Sequence, residues 1–452
     1  KLQVGVVNGK YQPSEKTKVD FEFAASKNDE NLFSDLDDNN NDGFAARVEV
    51  TQRVVQLKDS SQIEAFAGIN YLQDEFQSIE RLFNVEFNRD WNLINPLGNQ
   101  NYIQSGINFR TLKNGISQYR FEHLDYSENY SGTRHVISSQ HQLGKLRTQL
   151  HGSYLESDGS TFTSEFLRMN AFAVYDFGKV WTGTRINLED NQQQEKATQN
   201  LTGISQRFNS YEVFTGVGDS TAVYAEIGYR HRVNDSLRNN NLQRVSHSNN
   251  YYLKSQLIQN ENTQLSVFAN YRKLINEEEN VEDEQSLNSR VLYNQFLFDK
   301  LISLNTAYET NSGTLAQQEF TYVEVNAGEG QYTWNDYNDN GIQELEEFEI
   351  SPFPDQAKYV RVLLPNQIFL KTHQNKFSQV VTLNFMQLSD DASTKKFLKH
   401  FYNQTSYLVD RKIEREEDNF DLNPFNDSGE EELAVNLNFR NTVFFNRGKQ
   451  RY

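Results

Sequence analysis

The sequence predicts an all-β fold, a transmembrane up-and-down antiparallel β-barrel with about 22 candidate strands in this chain. Three observations predict it. The first is a rhythm of connections. From Gly144 to Thr310 the chain repeats strand, short turn, strand, longer polar loop. The short turns fall at Gly144, Phe177-Gly178-Lys179, Gly216 to Ser220, Asn260 to Thr263 and Asp299-Lys300, and the longer loops at 157–163, 190–203, 232–246 and 274–285. Alternating short and long connections make neighbouring strands antiparallel and put the short turns at one end.

The second observation is that the strands are two-faced. Val223, Ala225, Ile227 and Tyr229 alternate with Tyr224, Glu226, Gly228 and Arg230. Leu265, Val267, Ala269 and Tyr271 alternate with Ser266, Phe268, Asn270 and Arg272, and Leu146, Thr148, Leu150, Gly152 and Tyr154 with Arg147, Gln149, His151 and Ser153. A pleated strand turns successive side chains to opposite faces, so each ribbon has an apolar and a polar side. The polar side carries charges and amides on strand after strand, as a wet interior would. Tyr154, Tyr229, Tyr271 and Tyr308 lie on the apolar side just before the long loops, the pattern of an aromatic girdle at a bilayer interface.

The third observation is composition. The chain has 452 residues, no cysteine, six prolines, 32 phenylalanines and 23 tyrosines. Central strands exclude proline, and without cysteine there are neither disulfides nor thiolate metal sites. No apolar run is long enough for a transmembrane helix, which leaves half-apolar barrel strands untouched. A net charge of −18 disfavours nucleic acid as a partner.

In chain order, residues 3–11 and 17–27 read as a hairpin. A polar stretch from Asn28 to Gly43 follows, then alternating Phe44 to Leu57, and candidate strands at 62–74, 80–90 and 101–112, with Asn95-Pro96-Leu97-Gly98 a loop. Lys113-Asn114-Gly115 is a tight turn, because Asn-Gly tolerates positive φ. Strands at 116–127 and 133–143 lead into the rhythmic region, with alternation weakest at Tyr119 to Tyr126. After Thr310, residues 317–326 read as a strand, and an acidic insertion covers 327–358. Pro365 splits Val360–Leu364 from Ile368–Lys371, giving either a bulged strand or a segment outside the wall. Phe377, Val381, Leu383 and Phe385 resume alternation, and strands at 398–411 and 431–446 follow. Lys1 starts inside a strand without a signal peptide, and the chain stops three residues after the Arg447-Gly448-Lys449 turn. The expectation is one piece, 1–452, of a larger barrel domain whose missing parts supply an export signal and further strands.

The best local motif is Asp336-Tyr337-Asn338-Asp339-Asn340-Gly341, with five residues between that glycine and Glu347. It fits the calcium-loop pattern D-x-[DN]-x-[DN]-G-x5-E. Calcium takes six to eight oxygens, alternate residues turn inward, glycine permits the bend, and a late glutamate closes the shell. Asp336, Asn338, Asn340 and Glu347 would supply side-chain oxygens, Ile342 its carbonyl, and Glu344 a direct or water-mediated ligand. A second match runs from Asp38 through Asn40, Asp42 and Phe44 to Glu49. Runs of Asp and Asn produce such matches easily, and Glu49 falls in a predicted strand. Counting turns places both loops at the short-turn, normally periplasmic, end. Trp334 stands beside the first loop as a packing anchor or part of a docking surface.

No catalytic motif of the G-x-S-x-G, phosphate-loop or H-E-x-x-H kind occurs. His151 and His231 read as interior or rim residues. Arg147, Arg185, Glu226, Arg230 and Arg272 face the interior, where they either tune a pore's field or pair across strands.

The segment from Gly328 to Glu349, with Asp355 to Val362, Asn31 to Ser34 and Asn403 to Tyr407, resembles large outer-membrane barrel proteins of Bacteroidetes. The resemblance implies an exported many-stranded barrel in the bacterial outer membrane, often preceded by a periplasmic or surface domain. Barrels of this kind also serve as accessory subunits of outer-membrane assembly or secretion machines. Three functions follow as expectations. The first is a non-enzymatic structural or accessory subunit with a filled interior, other outer-membrane or periplasmic proteins as partners and a calcium-stabilised loop. The second is a porin-like channel or transporter with an open interior. The third is a surface glycan-binding β-protein.

Overall fold

Side-chain period two allows a strand one apolar face, and its backbone groups then need partners on both edges. The computed structural model meets both demands with an up-and-down antiparallel wall. It describes residues 2–29, 40–57, 61–111, 114–279, 281–337, 341, 343–388, 397–415, 420–427 and 429–448. The all-β, up-and-down antiparallel class read from the sequence is the class observed.

Among the described residues there are 21 strands. The first twelve are β1 (Leu2–Ser14), β2 (Thr17–Asn28), β3 (Asp42–Gln56), β4 (Gln62–Leu72), β5 (Gln100–Thr111), β6 (Gly115–Tyr126), β7 (Tyr130–Leu143), β8 (Leu146–Gly159), β9 (Phe162–Asp176), β10 (Val180–Glu195), β11 (Gln206–Gly218) and β12 (Tyr224–Arg238). Each of β1 to β11 pairs antiparallel with the next in sequence. Then come β13 (Asn241–Gln259), β14 (Thr263–Asn276), β15 (Glu284–Leu297) and β16 (Ile302–Glu324). The short strands β17 (Tyr332–Trp334) and β18 (Phe348–Ile350) precede β19 (Tyr359–Asn384), β20 (Phe401–Glu414) and β21 (Glu432–Phe445). The chain forms two units, one of residues 1–255 with 272–284 and one of 256–271 with 285–452.

In the first unit, burial runs opposite to that of a soluble protein. Val50, Ile69, Ile103, Ile107, Ile137, Leu150, Leu167, Val213, Val217 and Ile227 are exposed, while Glu122, Glu189, Glu212, Asn191 and Ser164 are buried. Ladder registers put these two sets on opposite faces: Glu122 stands opposite Arg134 and Glu212 opposite Arg230, while Ile137 stands opposite Tyr119 and Ile227 opposite Thr215. Full burial of such an apolar side chain contributes about 1.5–3 kcal/mol. Leaving this many half-exposed forgoes on the order of 10 kcal/mol, the size of a whole domain's stability. A hydrocarbon solvent removes that deficit.

The second unit contains one feature of different scale. β16 pairs with β15 as far as Thr310, and β19 pairs with β20 only from Thr372 onward, yet β16 and β19 stay paired out to Glu324 and Tyr359. A two-stranded arm thus continues about 40 Å past the neighbouring strands, at roughly 3.3 Å per residue. The β17–β18 hairpin caps its end. Pro365 lies where the register jumps from Gln318↔Gln367 to Phe320↔Leu363. The bulged-strand alternative is the observed one, because a bulge frees proline from the ladder. The expected separate strands at 317–326, 360–364 and 368–371 belong to β16 and β19.

Several expectations need correction. Residues 80–90 are no strand: they contain a single helical turn, α1 (Phe87–Asp90), in a segment from 73 to 99 that turns onto the polar face. The connections alternate less strictly than expected, since β6–β7 and β8–β9 are joined by only three and two residues at the long-loop end. Within its own unit each calcium-type segment follows a strand that leaves a short turn, β2 from Ser14/Thr17 and β16 from the turn after Leu297, so neither lies on the short-turn side as expected. The extra strand expected at 80–90 and the division of β16 after Thr310 account for the reversed parity. Residues 119–126, weakest in alternation, form the second half of β6.

If lipid covers the apolar face, Ile137→Arg lowers stability in vesicles by about 2–4 kcal/mol, whereas Gln140→Arg on the exposed polar face changes it by less than about 0.5 kcal/mol. Urea unfolding in lipid vesicles reads both. Equal effects contradict the assignment of faces.

Candidate functional site

Phe87 opens the α1 turn and Trp91 closes it, and Phe83 precedes them in the same segment. Phe83 stacks on Phe87 at 4.0 Å, and Trp91 meets Tyr102 edge-on at 6.1 Å. Trp91, 1% exposed, is the centre of a cluster with Leu124, Tyr130, Leu155 and Phe166, all on the polar face of β6 to β9. The Tyr130 hydroxyl donates to the Trp91 carbonyl at 2.5 Å. The Asn92 amide donates to Ser164 Oγ at 3.0 Å and Asn191 Oδ1 at 2.8 Å.

Around this apolar centre runs a chain of alternating charge. Glu122 pairs with Arg120 at 2.5 Å and Arg134 at 2.7 Å. Asp90, brought in by α1, bridges Arg134 at 3.4 Å and Arg168 at 2.5 Å. Arg168 approaches Glu189 at 3.4 Å, and Glu189 meets Arg89 at 2.7 Å. The chain ends at Glu86, which pairs with Arg89 at 3.4 Å; of its eight charged groups Arg89 and Asp90 come from the helical turn, Glu86 from just before it, and Arg120, Glu122, Arg134, Arg168 and Glu189 from the wall. Removing one member of such a half-buried pair leaves an uncompensated charge, which costs about 3–5 kcal/mol.

A second cluster contains most of the predicted interior residues. Arg185 and Arg230 clamp Glu212 at 2.7 and 2.6 Å, and Tyr252 donates to it at 2.9 Å. Trp181 donates to Glu226 at 2.9 Å. Arg147 and Arg185 both lie over the Phe172 ring. Arg272 is half-buried on β14. Of the two readings, cross-strand pairing describes Arg185 and Arg230. Glu212, their shared partner, was not singled out from the sequence, although it stands opposite Arg230 in the ladder. Among the described residues these carboxylates are held by arginine, tyrosine or tryptophan, an arrangement that orients charge.

The girdle tyrosines do not form one open row. Tyr154 and Tyr229 are half-buried on the apolar face of the first unit, bonded to Glu156 and Asn249. In the second unit Tyr271 meets Phe420 edge-on and the Tyr308 hydroxyl donates to the Leu422 carbonyl. The 420–427 segment therefore covers these two, and Phe425 also packs on Phe377 and Tyr407.

At the arm's end, Glu347 is 3% exposed. It accepts from Trp334 Nε1 at 2.8 Å and the Tyr337 N–H at 3.2 Å. Trp334 is thus an anchor for the loop. Asp336 Oδ2 accepts from the Gly341 N–H at 2.8 Å across the bend, where Gly341 has φ +69°. Asp336 and Glu347 converge on one turn, as a calcium loop requires. Glu344 is instead engaged with Glu347 in a reciprocal capping box. Asn338, Asn340 and Ile342 lie outside the described residues, and among the described residues no three His, Asp or Glu side chains form a metal-holding group.

The second candidate set is not brought together. Asp38 lies outside the described residues, while Asp42 opens β3 opposite Lys27. Glu49, seven residues further along that strand, faces the polar side and bonds Arg47 and Gln104. Phe44 stacks on Phe23 on the apolar face. Gly43 has no left-handed φ; a Cβ there would strike the backbone of Phe76 at 2.3 Å. Its glycine admits the inward segment, not a metal-binding bend.

No protein-family model and no curated protein matches the chain. Solved structures similar to it include the siderophore receptor PirA of Acinetobacter baumannii, at 10% identity and TM-score 0.34, covering 96% of this chain and 74% of that one. Another is OccAB4 of the same organism, at 10% identity and TM-score 0.29, covering 96% and 99%.

Asp90→Ala and Trp91→Ala should each release the 73–99 segment, the latter with a loss of about 3–5 kcal/mol. Limited proteolysis should then cut within 73–99 much faster while the strands stay protected. Unchanged cleavage in both variants contradicts anchoring by these contacts.

Proposed function

We propose that this chain is a non-enzymatic β-barrel protein of a bacterial outer membrane that serves as a structural or accessory subunit of an outer-membrane protein complex. The observation that carries this reading is the inward 73–99 segment, whose Asp90 and Trp91 tie it to the polar face. A polar interior occupied by packed side chains and closed ion pairs supports a scaffold more than a conduit. The apolar outer face supports lipid as its surroundings. The segments resembling Bacteroidetes barrels support an origin in that group.

The arm supports a docking role, because it carries the acidic insertion well clear of the neighbouring strands. It leaves from the long-loop end, which in such barrels is ordinarily extracellular. Calcium would be held there by Asp336 and Glu347 with Asn338, Asn340 and Ile342. It would order the turn by replacing N–H donors as the carboxylates' main partner. A porin-like channel is the alternative reading. The chain of arginines and carboxylates on the polar face would then set the field of a pore.

Calcium should protect 327–358 from protease in the wild-type protein, and Asp336→Ala with Glu347→Ala should abolish the protection. Protection that is unchanged by the double substitution removes calcium from the reading. Gentle detergent extraction of the native protein should yield stoichiometric protein partners. A lone particle that conducts ions in planar bilayers supports the channel instead.

A further inference from the structure

The arm leaves one backbone edge of β16 open. That edge is paired with β15 as far as Thr310, and Ser312 is still tied to Leu287 and Asn288. From Gly313 to Glu324, β16 is bonded to β19 on one side, and among the described residues no strand pairs with its other side. Such an edge presents a row of N–H and C=O groups about 40 Å long.

The two edges of the arm are not equivalent. Along β19, Pro365 lacks an N–H and sits in a bulge, and Arg361 and Lys371 add positive charge. Tyr332 pairs with Tyr359 near its start, and the Arg415 N–H donates to the Lys371 carbonyl at its end. Proline, bulges, cations and covering segments are the devices that block strand addition. Between Gly313 and Glu324, β16 has no proline, lysine or arginine, and Thr314, Leu315, Phe320, Thr321, Tyr322 and Val323 are strand formers or tolerate a strand.

Charge and pleat define what fits. From Asn311 to Lys371 the chain has ten Asp and Glu against three Lys and Arg, a net charge of −7. Leu315 and Val323 share one face of β16 and are exposed; Glu324 lies on the other and is exposed. We propose that the Gly313–Glu324 edge of β16 takes up an extended basic segment of a partner protein as an added β-strand. Its apolar side chains lie over Leu315 and Val323, and lysines or arginines alternate with them. This rests on the reading of the arm as the docking element of an accessory subunit, and gives that docking its chemistry.

The probe is a synthetic peptide of alternating lysine and valine, as long as the open edge, added to the full chain in detergent. Amide hydrogen exchange should slow at Gly313–Glu324. A glutamate–valine peptide and a proline-interrupted lysine–valine peptide should bind about tenfold or more weakly. Thr314→Lys with Thr321→Lys should weaken the lysine–valine peptide by a similar factor. Its control is protease protection of the arm, which should not change. Equal protection by the glutamate or proline peptide, or no protection at Gly313–Glu324, overturns strand addition. Protection confined to the tip around Ile350 and Phe353 also overturns it, yet leaves a docking arm. The accessory-subunit reading fails separately, when the native particle contains no other protein.

Discussion

In hydrocarbon every backbone N–H and C=O must find its partner within the protein, and a loss there costs several kcal/mol per group. The wall follows from that constraint. Each of β2 to β11 is bonded on both sides by its sequence neighbours, residue against residue, so the ladder satisfies the backbone before any side chain is considered. Once the registers are set, side chains have no choice of face. Ile137 and Leu150 go outward, Glu122 and Glu212 inward, and the interior must then neutralise its own charges. The arginine–carboxylate pairs and the inward segment are the result of that second demand.

The periodic part of this structure was legible in the sequence. Alternation at Leu146–Tyr154 and Val223–Arg230 gives the strands and both faces, because period two is a local property. The turns after Leu143, Asp176, Gly218 and Gln259 were also readable from their glycines and asparagines. What depends on distant residues was not. Asp90 meets Arg168 across 78 positions and Arg89 meets Glu189 across 100, and no local pattern encodes either pair. The signal that existed was the aromatic spacing of Phe83, Phe87 and Trp91, helical in period and lying in a stretch without true alternation. Strand length was misjudged for a related reason. β16 and β19 outrun their neighbours because they pair with each other, and polar residues there need no lipid-facing pattern.

The two calcium-type motifs show how a spacing rule is decided by context. Both satisfy the same string of residue types. At Asp336 and Glu347 the chain folds back, so the ends of the motif meet. At Asp42 and Glu49 the chain continues as an extended strand, which places the two carboxylates about 20 Å apart and on opposite faces. A glycine common to both plays two roles: Gly341 supplies a left-handed bend and Gly43 supplies room for Phe76.

The order of pairing also bears on how the wall forms. In the first unit each partner is the next strand, so a hairpin can close before its successor is made. The β16–β19 hairpin differs, since its ends are joined through 34 residues, 325–358. Closing a loop of that length rather than a tight turn costs only about 2 kcal/mol, because closure entropy grows with the logarithm of length. The same logarithm makes further lengthening nearly free of penalty. The end of the arm is therefore where the chain can acquire new sequence, and with it new surface, without disturbing the register of the strands below.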